Sequence, residues 1–304
     1  MMAHRCVLEL SDYSFGQRAR ILYNHLYFSD LPQAYKDIVL EDDFFLDIIK
    51  HEHFNPRLIE WLVSLTRLQS PPPQRYKQSI LELLQSPERI WDHAFEHQIS
   101  DAGRDLLLSL YSVGHWINIA DLEPAFEAFH AAASYRYNRA RKAGDFHAAL
   151  HELDGAFLSY KRGMASFVNP SVREFTAGIV MRTPRVAEEL LDAAIRFQQF
   201  SNLWELARKQ PGQPLLATLL ADVAALRRRI ERVLHGPSLR WEETPRGTMG
   251  SYVDTREEDR LGTLFEVVEE SQSAELLSFS ATYADWLIAH WHELKSKLVY
   301  GRGI

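Results

Sequence analysis

The sequence predicts a mainly α protein in three parts. These are a helical bundle over residues 10–70, helices closed by a small β-hairpin over 74–182, and a further helical region over 184–304. Three observations carry this expectation. Apolar residues recur at three- and four-residue spacings along most of the chain. The clearest breaks, Ser70-Pro-Pro-Pro73 and the polar stretch 236–262, fall between such segments. One pair of short runs flanking Lys161-Arg-Gly163 instead has the length and turn residues of a hairpin.

From Ser14, Ile21, Leu22, Leu26 and Tyr27 line one helical face. Pro32 permits a new start at Gln33. Residues 33–50 carry Tyr35, Ile38, Val39, Phe44, Phe45, Ile48 and Ile49, and Glu41-Asp42-Asp43 splits them into two short helices. Asn55 is an N-cap followed by Pro56 at the first helical position, and the helix is expected to run to Leu68. Helices follow over 74–85 and from Ser86-Pro87, and another restarts at Ser100 through Leu106, Leu107 and Leu110. His115 to Ile119 reads as a short extended link. Asp121 is expected to cap a helix reaching Tyr137, and Ala148 to Leu153 is helical again. Ala156 to Tyr160 and Met164 to Val168 read as two strands. Three helices and then a hairpin form the pattern of a winged helix. Asn169-Pro170 opens the next helix. Residues 184–235 are helical with a break over Lys209 to Pro214, 236–262 reads as a loop or boundary, and a last helical region covers 257–297.

Composition narrows the function. Hydrophobic residues make up 46% and charged residues 25%, ordinary for a globular protein. A net charge of −7 argues against non-specific nucleic-acid binding by the whole chain. Cys6 is the only cysteine and cannot form an internal disulfide, which points to a reducing compartment, the cytoplasm. No apolar run approaches the ~18 residues of a membrane span. Met1 to Glu9 lacks the apolar stretch of a signal peptide. Cys6-Val-Leu-Glu-Leu10 reads as the tail of an element entering from upstream, so a truncated or split gene product is expected.

Four segments carry a resemblance: Arg18-Ala-Arg-Ile-Leu-Tyr-Asn-His-Leu-Tyr-Phe-Ser-Asp-Leu-Pro32, His51-Glu-His-Phe-Asn-Pro-Arg-Leu-Ile-Glu60, Ala149-Leu-His-Glu-Leu-Asp-Gly-Ala-Phe157 and Phe167-Val-Asn-Pro-Ser-Val-Arg-Glu-Phe175. Together they resemble the AAA-type helical lid (10–70) and winged helix (74–182) of the STAND NTPases. They are similar in particular to the novel STAND type 3 branch of bacterial antiviral defence proteins. The resemblance covers about residues 10–205, and residues 184–304 would begin a helical sensor array. It implies an ATP- or ADP-gated switch with Mg2+, a phage protein as trigger, and activation through a homo-oligomer. By the same resemblance Arg57 is the candidate phosphate sensor, with Asn55 and Pro56 shaping its turn. A permanent charge and a forked donor set suit that role. The position that follows the second wing strand and faces nucleotide in the family falls on Asn169, Pro170 and Ser171, with no His.

The chain departs from that family in one large respect. The phosphate loop Gly-x-x-x-x-Gly-Lys-Ser/Thr does not occur, nor does an acidic strand end to hold magnesium. The chain is therefore expected to be no enzyme by itself and to need no cofactor alone. ATP or ADP and Mg2+ would enter only with a nucleotide-binding core supplied in cis or in trans.

Other clusters are weaker. His93 and His97, and His147 and His151, have i, i+4 spacing that can hold a metal, but no third ligand is signalled and no metal site is expected. Arg227-Arg-Arg-Ile-Glu-Arg232 reads as the solvated face of a helix. Two readings compete with the regulatory fragment of a STAND switch. A winged-helix DNA-binding regulator would use the helix at 148–153 and a basic extension carrying Arg136, Arg139, Arg141 and Lys142. A helical interaction scaffold would bind no ligand.

Overall fold

Several helix starts in this chain are made by side chains close to them in sequence, among them Ser14, Asn55, Ser100, Asn118, Asn169 and Asp222. A computed structural model describes residues 13–299 except 53, 67, 69, 86–87, 115, 210–213 and 245–246. The described chain is mainly helical with little strand. It divides into two compact units, Met1–Gln98 and Ile99–Ile304.

The first unit holds α1 (Phe15–Phe28), α2 (Gln33–Leu40), α3 (Phe44–Lys50), α4 (Pro56–Leu62), α5 (Pro73–Gln85) and α6 (Glu88–His97). Ser14 and Gln17 form a reciprocal capping box at the start of α1. Asp42 and Asp43, with φ of 50° and 56°, turn the chain left-handed between α2 and α3, so the three acidic residues do split that segment. Arg18 on α1 donates to the carbonyls of Ile49 and His51 at the end of α3, at 3.4 and 3.3 Å, where a cation complements the helix dipole. The core gathers Leu22, Val39, Phe44, Ile48, Leu58 and Ile59.

Two expectations change here. The fourth helix stops at Leu62 rather than Leu68. Ser64 N–H bonds Trp61 three residues back, and Val63-Ser-Leu-Thr66 is a poor helix former. The helix at 73–85, assigned from sequence to the second domain, buries Tyr76, Ile80, Leu83 and Leu84 in the first core. Tyr76 Oη donates to the Leu62 carbonyl at 2.8 Å, and burial pushes its hydroxyl pKa up.

The second unit opens with α7 (Asp101–Val113), β1 (Trp116–Asn118), α8 (Ile119–Arg136), α9 (Asp145–Leu153), β2 (Leu158–Lys161) and β3 (Met164–Phe167). β1 and β2 both pair antiparallel with β3, giving the order β1-β3-β2. The link foreseen before α8 is thus the third strand of the sheet. Lys161 pairs with Met164 around Arg162 and Gly163, whose φ of 52° and 79° are those of a tight two-residue hairpin turn. The helix and strand order is that of a winged helix. Asn118, not Asp121, caps α8, accepting from Ala120 N–H at 2.9 Å.

The remainder comprises α10 (Pro170–Arg182), α11 (Pro184–Asp192), α12 (Phe197–Lys209), α13 (Pro214–Leu220), α14 (Val223–Leu234), β4 (Leu239–Thr244), β5 (Gly247–Tyr252), α15 (Glu257–Ser271) and α16 (Ala274–Val299). Leu108 of α7 and Phe129 of α8 share one core with Leu190, Phe200, Trp204, Ile230, Leu264 and Tyr283. Hydrophobic packing is therefore continuous from the winged helix into the later helices.

The stretch 236–262, expected as a loop, contains the β4–β5 hairpin. Gly250 faces Trp241 across it, and a Cβ there would lie 2.7 Å from the indole. The glycine that suggested a loop makes room for a ring.

Candidate functional site

The winged helix is held together by one buried polar centre. His130 on α8 sits 2.7 Å through Nδ1 from Asp105 Oδ2 on α7, and 3.2 Å through Nε2 from Asp145 Oδ2 at the start of α9. Arg139 adds a 2.9 Å bond to the same Asp105 oxygen. One imidazole so links all three helices. Burial holds the Asp105 carboxyl above its usual range, against the opposing pull of His130 and Arg139. Asp145 is held low, first by the Lys142 backbone N–H at 2.7 Å.

The residues proposed for DNA contact surround this centre, and three of the four are already paired. Arg136 meets Glu189 at 3.0 Å, Arg139 meets Asp105, and Arg141 meets Glu127 at 2.7 Å. Glu189 also takes bonds from Arg185 and from the Tyr137 hydroxyl, which holds that hydroxyl pKa up. Lys142 is exposed and uses its backbone, as above. In α9, the helix that a DNA-binding winged helix would insert in the major groove, His147, Ala148, His151 and Glu152 are exposed. It contains no Lys or Arg. Glu152 instead takes the N–H and hydroxyl of Ser100 at 2.9 and 2.6 Å, bracing α9 against the start of α7.

Both Asn-Pro helix starts are capped by their asparagine side chains. In the first unit, Asn55 Oδ1 accepts from Leu58 N–H at 2.9 Å and Pro56 opens α4. Arg57 occupies the second position of that helix, and its side chain lies outside the described residues. In the second unit, Asn169 Oδ1 accepts from Val172 N–H at 3.1 Å and from Ser171 Oγ at 2.7 Å. Asn169 and Ser171 are thus brought together, with both polar groups engaged at the start of α10. Near it, Tyr111, Arg173, Asn202, Glu205 and Lys209 line a cleft of about 60 Å³. That is far below the ~300–1,000 Å³ of a small-molecule site.

The basic segment at 227–232 lies on the outer side of a helix whose Leu226, Ile230 and Val233 are buried; Arg228 and Arg232 are exposed, and three of its arginines also find partners. Arg227 reaches Glu275 at 3.0 Å, Arg229 reaches Asp192 at 2.7 Å, and Arg232 donates to the Leu191 carbonyl. Sequence reasoning missed a second polar centre altogether. Asp121 lies in the first turn of α8 and receives Arg196, at 2.7 Å, and Arg240 of β4. Arg196 also donates to the Val253 carbonyl at 3.0 Å. Next to it Asp254 caps α12 through Phe197 and Gln198 N–H, and meets the buried Arg260 at 3.3 Å.

Among the described residues, no group of three His, Cys, Asp or Glu is placed to hold a metal ion, and no helix is long and apolar enough to cross a membrane. No protein family matches the chain, and no curated protein or solved structure is significantly similar to it.

Proposed function

We propose that this chain is the regulatory, non-catalytic part of a STAND-type signalling NTPase in prokaryotic anti-phage defence. Its helical bundle acts as the lid, its winged helix as the second clamp, and the helices after Pro184 as the start of a sensor array. The nucleotide, ATP or ADP with Mg2+, is held by a core supplied in cis or in trans. The array meets the trigger, a phage protein, and signalling proceeds through a homo-oligomer in the cytoplasm.

The observation that supports this best is the chemistry of the winged helix. Its basic flank is closed by Glu189, Asp105 and Glu127, and its α9 face presents the imidazoles of His147 and His151 instead of the Arg, Lys, Asn or Gln that read base edges. Such a face suits protein contact. A core shared with the following helices lets it move with them as one piece. The alternative, a DNA-binding regulator, would rely on exposed cations such as Lys142 and the wing-tip residues Lys161 and Arg162.

Fluorescence anisotropy with a labelled duplex at low ionic strength separates the two. We expect no saturable binding. Saturation whose affinity falls steeply with salt, at a slope of about −0.9 per phosphate contacted, would favour the DNA regulator. For the switch itself, the chain is co-expressed with the polypeptide encoded directly upstream. Retention of one on the other should depend on ATP and should lose that dependence in Arg57→Ala. An upstream gene that is complete and lacks a phosphate loop would remove this reading.

A further inference from the structure

Many arginines of the second unit end on carboxylates of their own, among them Arg136, Arg196, Arg208 and Arg229. Arg173 of α10 does not. It is exposed, and among the described residues no ion pair or hydrogen bond takes its guanidinium. It sits in the first turn of its helix, where the dipole disfavours a cation, so α10 gains nothing from its charge. The side chain borders the cleft between α7, α10 and α12, and the other polar groups there are mostly donors. Tyr111 Oη has no hydrogen-bond partner among the described residues, and burial pushes its pKa up to about 12, so it keeps its proton at neutral pH. Asn202 gives one amide N–H to the Ser112 carbonyl at 2.8 Å and has a second to offer. The carboxylate in the lining, Glu205, is held by Lys209 at 2.7 Å.

We propose that this notch receives the carboxylate of a single acidic side chain from a partner protein. Charge and size select that occupant. With Glu205 and Lys209 cancelling each other, Arg173 leaves the lining net positive in a chain whose net charge is −7. Guanidinium, hydroxyl and amide donors match the lone pairs of a carboxylate, and the first turn of α10 adds the positive end of its dipole. The volume of about 60 Å³ accommodates a carboxylate and its nearest methylene, whereas a metabolite needs several times more. Leu206 gives that methylene an apolar wall. At Gly114 a Cβ would meet nothing within 4 Å, so that part of the rim is open to an incoming chain. The assignment stands apart from the nucleotide switch, since it involves neither a phosphate nor Arg57.

The probe is N-acetylglutamate α-methylamide, which carries one side-chain carboxylate, titrated into the isotope-labelled full chain and followed by NMR. The matched glutamine compound and inorganic phosphate serve as comparison ligands. We expect saturable shifts of the Gly114 backbone amide and the Asn202 side-chain amide in the millimolar range, and none from the glutamine compound. Arg173→Ala should weaken binding about tenfold or more and, because that side chain is exposed, should melt like the wild type. Tyr111→Phe keeps the ring and should weaken binding several-fold. Lys209→Ala should also weaken it, because Glu205 then repels the ligand. The same glutamate inside an acetylated and amidated Gly-Gly-Glu-Gly-Gly peptide should bind at least as well. No shift at all, equal shifts from the glutamine compound, or full affinity in Arg173→Ala would overturn the proposal. So would tighter binding of phosphate than of the carboxylate, saturation at micromolar concentrations of the small probe (the mark of a metabolite site), or loss of binding in the peptide.

Discussion

Asp105 and Asp121 are both buried on adjoining helices of the second unit, 4% and 8% exposed, yet their surroundings drive them in opposite directions. Asp105 faces an imidazole and one guanidinium, and burial wins, leaving its carboxyl above the ordinary range. Asp121 is also penalised by burial, but the hydrogen bonds and charges of Arg196 and Arg240 overcome it and hold the carboxyl below that range. Two guanidiniums outweigh burial at Asp121; one guanidinium and an imidazole do not at the more deeply enclosed Asp105. The winged helix is therefore closed internally by a carboxyl held above its usual range, while its attachment to α12 and the β4–β5 hairpin rests on one held below it by permanent cations.

The comparison breaks most severely where the arginine centre is deepest. Arg260 is 1% exposed and donates to the carbonyls of Leu234, Gly236 and Thr255 at 2.6, 2.7 and 2.8 Å, as well as to Asp254. Arg260→Met leaves three carbonyls and a 2%-exposed carboxylate without that partner. We expect a loss of about 3–5 kcal/mol, read from the urea midpoint of the full chain. A loss below 1 kcal/mol would mean that the hairpin is not clamped through this residue.

A smaller and more discriminating effect is the pH dependence. Asp121 has a folded pKa below its unfolded value of roughly 3.9, so its contribution is complete above that value and is lost as pH falls through the folded pKa. Asp105 has a folded pKa above its unfolded value, so its contribution is complete below that value and is lost as pH rises through the folded pKa. Relative to wild type, Asp121→Asn should therefore flatten the fall in stability on acidification. Asp105→Asn should remove a decline on raising the pH above about 4. Urea midpoints of the three proteins across pH 3 to 7 test both signs. Parallel curves would show that the two centres are equivalent after all.

Legibility from sequence followed the range of the interaction. Caps, turns and helical faces depend on residues within about four positions, so α1, the α2–α3 split, the wing turn and both Asn-Pro starts were readable. The arginines at 136–141 were readable as cations but not as spent ones, because Glu189 lies 53 positions from Arg136. Asp121 looked like a cap because its partners, Arg196 and Arg240, are 75 and 119 positions away. The β4–β5 hairpin was missed because its glycines and proline suggested a loop. The apolar alternation of Leu239 and Trp241, with Gly250 placed to admit the ring, was the signal present.

The smallest effect sharpens the comparison at the two helix starts, where local and functional roles overlap. Asn55→Ala and Asn169→Ala each remove a capping acceptor and should cost about 1 kcal/mol. At residue 169, Ser171 also loses its acceptor. Aspartate caps as well as asparagine and favours the positive end of a helix. Asn55→Asp and Asn169→Asp should therefore leave stability unchanged while directing a negative charge at any phosphate held nearby. If these positions feel nucleotide, the aspartate variants melt like wild type but lose ATP-dependent retention on the core. If both variants keep that retention, the asparagines are caps and nothing more, and nucleotide sensing must be sought elsewhere in the lid.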